Sequence, residues 1–236
     1  MYYFFRFSGC VQCWDLKSQR LEKSVDIFDS KEHPILWLGT FVNDDMENIL
    51  VQARFATKVH IYDSQFANCK KTLQIQQAVP HFCKGDIFQE KIILPVGESH
   101  CGIFVASSNT LKIIENDHKE TGNLMSLKLS SVYLFLGFES GTLKMCNSQT
   151  FECVKIVNVT HSVTSIACDE NYVVTSNQED YIICHEIPSL NLGKIQVMLA
   201  LTIWKHWQRH IVGNTALIPR NKLYSNIIDL NLAFSA

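Results

Sequence analysis

A repeated strand-and-turn module constrains this chain more than any other feature. Five segments share one shape, in which small or polar turn residues precede an alternating strand that ends on an apolar or aromatic residue and a polar one. They are residues 8–15 (SGCVQCWD), 56–63 (ATKVHIYD), 109–115 (NTLKIIE), 140–147 (SGTLKMCN) and, more weakly, 179–185 (EDYIICH). Aligned at Trp14, Tyr62, Ile114, Cys146 and Cys184, they recur at intervals of 48 (62−14), 52 (114−62), 32 (146−114) and 38 (184−146) residues. The mean, about 42, fits a repeating unit of four short strands, for which roughly 40–45 residues is usual. Loops between strands absorb the scatter cheaply, because closure entropy grows slowly with loop length.

The intervening sequence supplies the other strands. Residues 35–41 (ILWLGTF) and 49–55 (ILVQARF) lead into the second module, 87–96 and 102–107 into the third, 125–129 and 132–137 into the fourth, and 163–168 and 172–176 into the fifth. Residues 69–75 (CKKTLQI) and 151–157 (FECVKIV) follow their modules as one more strand each. All are short, rich in β-branched and aromatic residues, and bounded by Ser, Asn, Asp or Gly. A lone four-stranded sheet of this kind cannot bury both faces, so neighbouring sheets must cover them.

Composition narrows the function. With 47% hydrophobic and 19% charged residues the chain has enough apolar surface for a substantial core. Lys+Arg 21 against Asp+Glu 23 gives a net charge of −2, which provides no basic field for a phosphate backbone. The aromatic start, residues 1–7 (MYYFFRF), lacks the basic region and cleavage site of a secretory signal, and the longest apolar stretch, near residues 195–204, is about half of a membrane span. The nine cysteines then read as reduced thiols of a cytoplasmic or nuclear protein.

On these residues the chain resembles the WD-repeat β-propeller family. Cys13-Trp14-Asp15 carries the Trp-Asp pair, Tyr62-Asp63 is a common variant of it, and residues 136–143 (LGFESGTL) look like the usual strand–turn–strand, with Ser140-Gly141 where Asp-Gly often stands. More narrowly, residues 9–20 (GCVQCWDLKSQR) and 136–169 are similar to the group of guanine-nucleotide-binding-protein β-subunit-like 1 and ASTRA-associated protein 1. The resemblance covers about residues 8–188. It implies an all-β, WD40-like β-propeller, incomplete at about four to five blades, that acts as a non-catalytic scaffold for protein partners. Docking would use the propeller face or an open blade edge, and the finer implication is an adaptor in the assembly of large kinase or chromatin-associated complexes.

Two departures from the family pattern carry expectations. The chain starts at about the third strand of a blade, so residues 1–188 are expected to form blades with the first one partial. Residues 189–236 read as a divergent tail without a Trp-Asp module, and Ile195, Met198, Leu199, Thr202, Ile203, His206 and Trp207 approximate helical spacing. A truncated or spliced product, in the extreme a non-functional one, fits this reading.

Candidate chemistry is sparse. Cys10 and Cys13 have zinc-like spacing, but a structural zinc takes four ligands, and the pair would face opposite sides of a strand. His81 with Cys83, or His100 with Cys101, could complete such a set only if folded next to Cys10, and scattered buried thiols are the plainer reading. Asp44, Asp45 and Glu47 read as a solvated acidic loop, and His33 and His161 as framework histidines bonded in turns. Trp204, Lys205, Trp207 and Arg209 form an aromatic–basic patch that could meet a membrane surface or a partner; the plainer reading is a tail that covers apolar blade surface or has no stable structure. A propeller hydrolase is the alternative. It would need His, Asp or Glu converging from several innermost strands, and the expected innermost strands, ILWLGTF, KIILPV, SLKLS and TSIAC, are mostly apolar. No catalytic, cofactor-binding or metal-binding residue is assigned from the sequence, and no cofactor is expected.

Overall fold

Nineteen short strands and one helical turn follow one another in the computed structural model, which describes residues 2–5, 9–15, 17–27, 34–43, 45–108, 110–159, 161–177 and 181–197. By contacts the chain divides into the units Met1–Gln196 and Val197–Ala236, and the architecture below is that of the first. The first sheet contains β1 (Tyr2–Phe5), β2 (Cys10–Asp15) and β3 (Arg20–Asp26). The second contains β4 (Ile35–Asn43), β5 (Met46–Ala53), β6 (Lys58–Asp63) and β7 (Cys69–Gln74), and the third β8 (Asp86–Phe88), β9 (Lys91–Val96), β10 (His100–Val105) and β11 (Thr110–Ile114). After the turn α1 (His118–Thr121) come β12 (Leu124–Leu129), β13 (Tyr133–Phe138), β14 (Thr142–Asn147) and β15 (Cys153–Asn158). The fifth sheet is β16 (Ser165–Cys168), β17 (Tyr172–Ser176), β18 (Tyr181–Glu186) and β19 (Asn191–Val197).

Each sheet is an antiparallel meander, and side-chain alternation shows how the sheets stack. On β9, Ile92, Leu94 and Val96 enter the core shared with the second sheet, while Ile93 enters the core shared with the fourth. On β13, Leu134, Leu136 and Phe138 face the third sheet and Phe135 faces the fifth. On β5, Leu50 faces the third sheet while Ile49 and Val51 face the first. Period-two alternation here separates two cores, not core from solvent. Burial falls from the buried second strands to the exposed outermost ones, β3, β7 and β15. The first strands of successive four-stranded sheets touch in series, β4 to β8 to β12 to β16. Sheets stacked face to face with their first strands inward form a WD40-like β-propeller, here an incomplete one of four four-stranded blades and one three-stranded blade.

The structure changes two parts of the strand reading. Residues 87–96 are not one strand: they break at Gln89-Glu90, where Gln89 takes a φ of 55°. The third blade therefore has its own four strands, and residues 109–115 are its outermost strand instead of its third. The position equivalent to Trp14, Tyr62 and Cys146 is Phe104, 42 residues (104−62) after Tyr62 and 42 residues (146−104) before Cys146. The expected start at a third strand also shifts, because β1 pairs with β2 from Tyr2↔Trp14 to Phe5↔Val11. Like β9 and β13, β1 packs on the first strand of the following sheet, which makes it a second strand. Residues 191–197, assigned from sequence to the tail and its helical spacing, lie in β19; the rest of that spacing and the Trp204–Arg209 patch lie outside the described residues.

The acidic end of the module has a structural role. Asp63 accepts hydrogen bonds from the amides of Gln65 (3.1 Å), Ala67 (2.8 Å) and Asn68 (2.9 Å), which closes the β6–β7 turn. Asp15 caps Lys17 and Ser18, and Asn147 caps Gln149 and Thr150, at the same place in their blades. Partial desolvation works against the Asp63 carboxylate, but the bonds from Ala67, Asn68 and Gln65 outweigh it and hold its pKa below the ordinary value. A depressed carboxylate stabilises the fold above its unfolded pKa, and that contribution disappears as pH falls through the folded value. Asp63→Ala is expected to cost about 1 kcal/mol in urea denaturation at pH 7. The cost should shrink toward zero well below about pH 4, near the ordinary aspartate pKa.

Candidate functional site

In an up-and-down meander, the turns between second and third strands emerge at the same end as the connections between blades. Hydrogen bonds knit these loops into one surface. The His81 ring accepts at Nδ1 from the Cys83 amide (3.2 Å), so Nε2 carries the proton and donates to the carbonyls of Gly97 (3.1 Å) and Glu98 (3.0 Å) in the third blade. Burial keeps the His81 pKa below the usual value, against the opposing pull of those two carbonyls. Glu139 accepts from the Asn123 amide (3.2 Å) and side chain (2.8 Å), and the Val159 amide donates to the Gly141 carbonyl (2.8 Å). The surface is thus a set of loops fixed on a rigid stack.

One feature stands out from it. The Arg54 guanidinium lies over the rings of Phe82 (3.8 Å to the centroid) and Phe55 (4.6 Å), and donates from Nε to the Pro80 carbonyl at 2.9 Å. Phe55 is 48% exposed and Phe82 62% exposed, so two large apolar rings that share one guanidinium are open to solvent together. Phe55 also takes a φ of 61°, a conformation uncommon for a bulky residue, and its amide is held by the Val79 carbonyl at 3.1 Å. Neither of the two ion pairs among the described residues, His118–Glu98 and Lys128–Asp86, involves Arg54. Two exposed aromatic rings in contact with one guanidinium have the chemistry of an interface anchor, where aromatic residues and arginine dominate binding energy.

The inner strands differ from expectation. KIILPV is β9, a second strand, and the third blade instead contributes β8 with Asp86. Asp86 Oδ2 accepts from Lys128 Nζ (3.0 Å) and from the Leu129 amide (2.8 Å), both on β12. Cys168 on β16 lies in the same electrostatic neighbourhood; burial pushes its thiol up to about 11, against the pull of Lys128. Polar groups from three successive inner strands therefore converge, contrary to the mostly apolar lining inferred from sequence. Their bonding is that of a clasp: the carboxylate is engaged by an ammonium and an amide, and the thiol stays protonated at neutral pH.

The other residues singled out from sequence do not gather. Cys10 contacts Ser24 Oγ at 3.0 Å in the first sheet, whereas Cys83 and Cys101 belong to the core between the third and fourth. His100 Nδ1 accepts from the Asn116 amide at 3.1 Å. Among the described residues no three His, Cys, Asp or Glu side chains form a ligand cluster. Asp45 is an exposed turn residue with a φ of 58°, and Glu47 is exposed on β5; Asp44 and His33 lie outside the described residues. His161 packs its backbone near Gly141. Among the described residues no helix is long and apolar enough to cross a membrane. Sequence reasoning passed over Phe55, Phe82 and Asp86, because nothing in their local pattern separates an exposed aromatic or an inner carboxylate from ordinary strand-end residues.

Comparison with known proteins shows the fold. No protein-family model matches the chain, and no curated protein does. Among solved structures, Sqt1 of Saccharomyces cerevisiae superposes with a TM-score of 0.70 at 8% identity, covering 83% of this chain and 57% of its own. The β-propeller domain of Cps50 (Swd1) from Myceliophteria thermophila gives 0.65 at 14% identity, covering 84% and 69%. The Pan2 WD40 domain of Neurospora crassa gives 0.62 at 10% identity, covering 82% and 61%. The chain thus spans well under two thirds of the Sqt1 structure. These likenesses place it among WD40-type β-propellers by fold.

Proposed function

We propose that this protein is a non-catalytic interaction scaffold that docks a protein partner on the loop surface carrying Arg54, Phe55 and Phe82. The observation that carries the reading is the exposed cluster of Arg54 with Phe55 and Phe82, built from a turn and an inter-blade connection that rigid blades hold in place. The likeness to WD40-type propellers supports an interaction role, and the engaged Asp86–Lys128 pair supports a structural use of the inner strands over hydrolysis. The resemblance of residues 9–20 and 136–169 supports the finer proposal of an adaptor in the assembly of large kinase or chromatin-associated complexes, acting in the cytoplasm or nucleus. Neither nucleic acid nor membrane belongs to this reading, in keeping with the net charge of −2.

The test is quantitative affinity purification of the wild-type chain beside Phe82→Ala and Phe55→Asn, the latter chosen because Asn tolerates a positive φ. A defined partner set recovered with wild type should drop at least about tenfold with either variant, as expected for anchors worth more than about 1.4 kcal/mol. The melting temperature should stay unchanged. Recovery of chaperones alone with wild type, or undiminished recovery with both variants, would contradict the reading.

A further inference from the structure

In the first, second and fourth blades a β-bulge falls at the same point of the ladder between the third and fourth strands. Register slips between Cys13 and Trp14, between Ile61 and Tyr62, and between Met145 and Cys146. Beyond the slip, Trp14 faces Leu21, Tyr62 faces Cys69 and Cys146 faces Cys153. The fourth blade thus has a cysteine where the first two have an aromatic residue, and a second cysteine directly opposite it. No other strand pair of the described residues sets cysteine against cysteine in register.

Residues paired across an antiparallel ladder have Cα atoms about 4.5–5.5 Å apart, and a bulge sets two residues of one strand against one of the other. That spacing lies within the roughly 4.4–6.8 Å of disulfides. The Cys153 thiol is also near enough to help raise the pKa of Cys146. Cys153 is exposed on the outermost strand, and Cys146 is buried in the core between the third and fourth blades. The turn they bracket is held from the neighbouring blade, where Lys91 Nζ donates to the Ser148 carbonyl (2.9 Å) and to Gln149 Oε1 (2.7 Å).

We propose that Cys146 and Cys153 are a reversible redox pair that forms a cross-strand disulfide when the protein meets a hydroperoxide. Cys153, open to solvent, reacts first: its thiolate sulfur attacks the peroxide oxygen, the O–O bond breaks, and a sulfenic acid forms as hydroxide leaves and takes up the thiol proton as water. The Cys146 sulfur then gives up its proton and attacks the Cys153 sulfur, and the sulfenic hydroxyl leaves as a second water. Two thiols are oxidised by two electrons and one hydrogen peroxide is reduced to two waters; a dithiol reductant reverses the bond by exchange. Burial pushes the Cys146 thiol up to about 12, with Cys153 reinforcing it, so the second step is slow at neutral pH and faster in mild alkali. Cys69 is the internal control: it is exposed at the equivalent place in the second blade but faces Tyr62.

The reduced chain is treated with hydrogen peroxide, alkylated, digested and mapped by mass spectrometry with and without dithiothreitol. The expected result is a Cys146–Cys153 linked peptide, with reactive thiols falling from the nine present to two fewer, restored by dithiothreitol. Cys153→Ser should melt like wild type and keep Cys146 alkylatable after peroxide. Cys146→Ala should leave Cys153 as a sulfenic acid trapped by dimedone; if that variant does not fold, Cys153→Ser carries the test alone. A wild-type chain in which both cysteines remain alkylatable while Cys69 is oxidised, or in which Cys153 links only to another molecule, overturns the proposal.

Discussion

Trp37→Ala is expected to destabilise the protein by about 3–5 kcal/mol in chemical denaturation, a large share of a typical domain's total stability. Trp37 is 5% exposed and sits in the core between the second and third blades. Its ring lies against Gly39 and Gly85, and a Cβ at either position would overlap the indole. The indole N–H donates to Gln52 Oε1 at 2.7 Å, and Gln52, wholly buried, donates from Nε2 to the Pro95 carbonyl of β9 at 3.1 Å. Truncation opens a cavity and also orphans the Gln52 oxygen. Trp37→Phe separates the two effects: it keeps much of the packing and should cost about 1–3 kcal/mol, the range for a buried acceptor left unmade. A loss below about 1 kcal/mol for Trp37→Ala would mean the blade interface is not closed around this ring.

Gly141→Ala is the second large effect, about 2–4 kcal/mol, for a backbone reason. Gly141 has a φ of 85°, and an added Cβ would overlap the Val159 carbonyl and come within 3.0 Å of the His161 carbonyl. Those are main-chain atoms, so no rotamer relieves the contact. Gly122 provides the contrast. Its φ is 66° and its ψ −157°, and its added Cβ would press on the Glu139 side chain, with Cβ at 3.1 Å, without the main-chain overlap seen at Gly141. Gly122→Ala should cost less than Gly141→Ala, about 1–3 kcal/mol, because it adds backbone strain without overlapping main-chain atoms. Thermal melts of the two variants side by side check the difference; equal losses would remove the close approach at Gly141 as the cause.

Much of the architecture was legible because turns and alternation coincide in sequence. Residues 136–143 show it best, where Ser140-Gly141 sits between two apolar runs and forms the turn between β13 and β14. The third blade was misread because its first turn, Gln89-Glu90, has no Gly, Asn or Pro to mark it, and a left-handed Gln89 is not a pattern sequence reasoning anticipates. The start was misread because residues 2–5 (YYFF) are apolar throughout and give no alternation to score. The interaction surface was the least legible part. Arg54 and Phe82 stand 28 residues apart (82−54), and only the stacking of a turn on an inter-blade loop brings them together. The cysteine pair is an intermediate case: Cys146 was visible as an anchor, but its partner emerges only when the bulge sets the register.

Amide hydrogen exchange resolved strand by strand tests the radial stacking most directly. The second strands β9 and β13 are paired on both edges and covered on both faces, so they should exchange slowest, together with the buried part of β5. The outermost strands β3, β7 and β15 should exchange fastest. Protection of β3, β7 and β15 equal to that of β9 and β13 would contradict sheets that bury one another around a common axis.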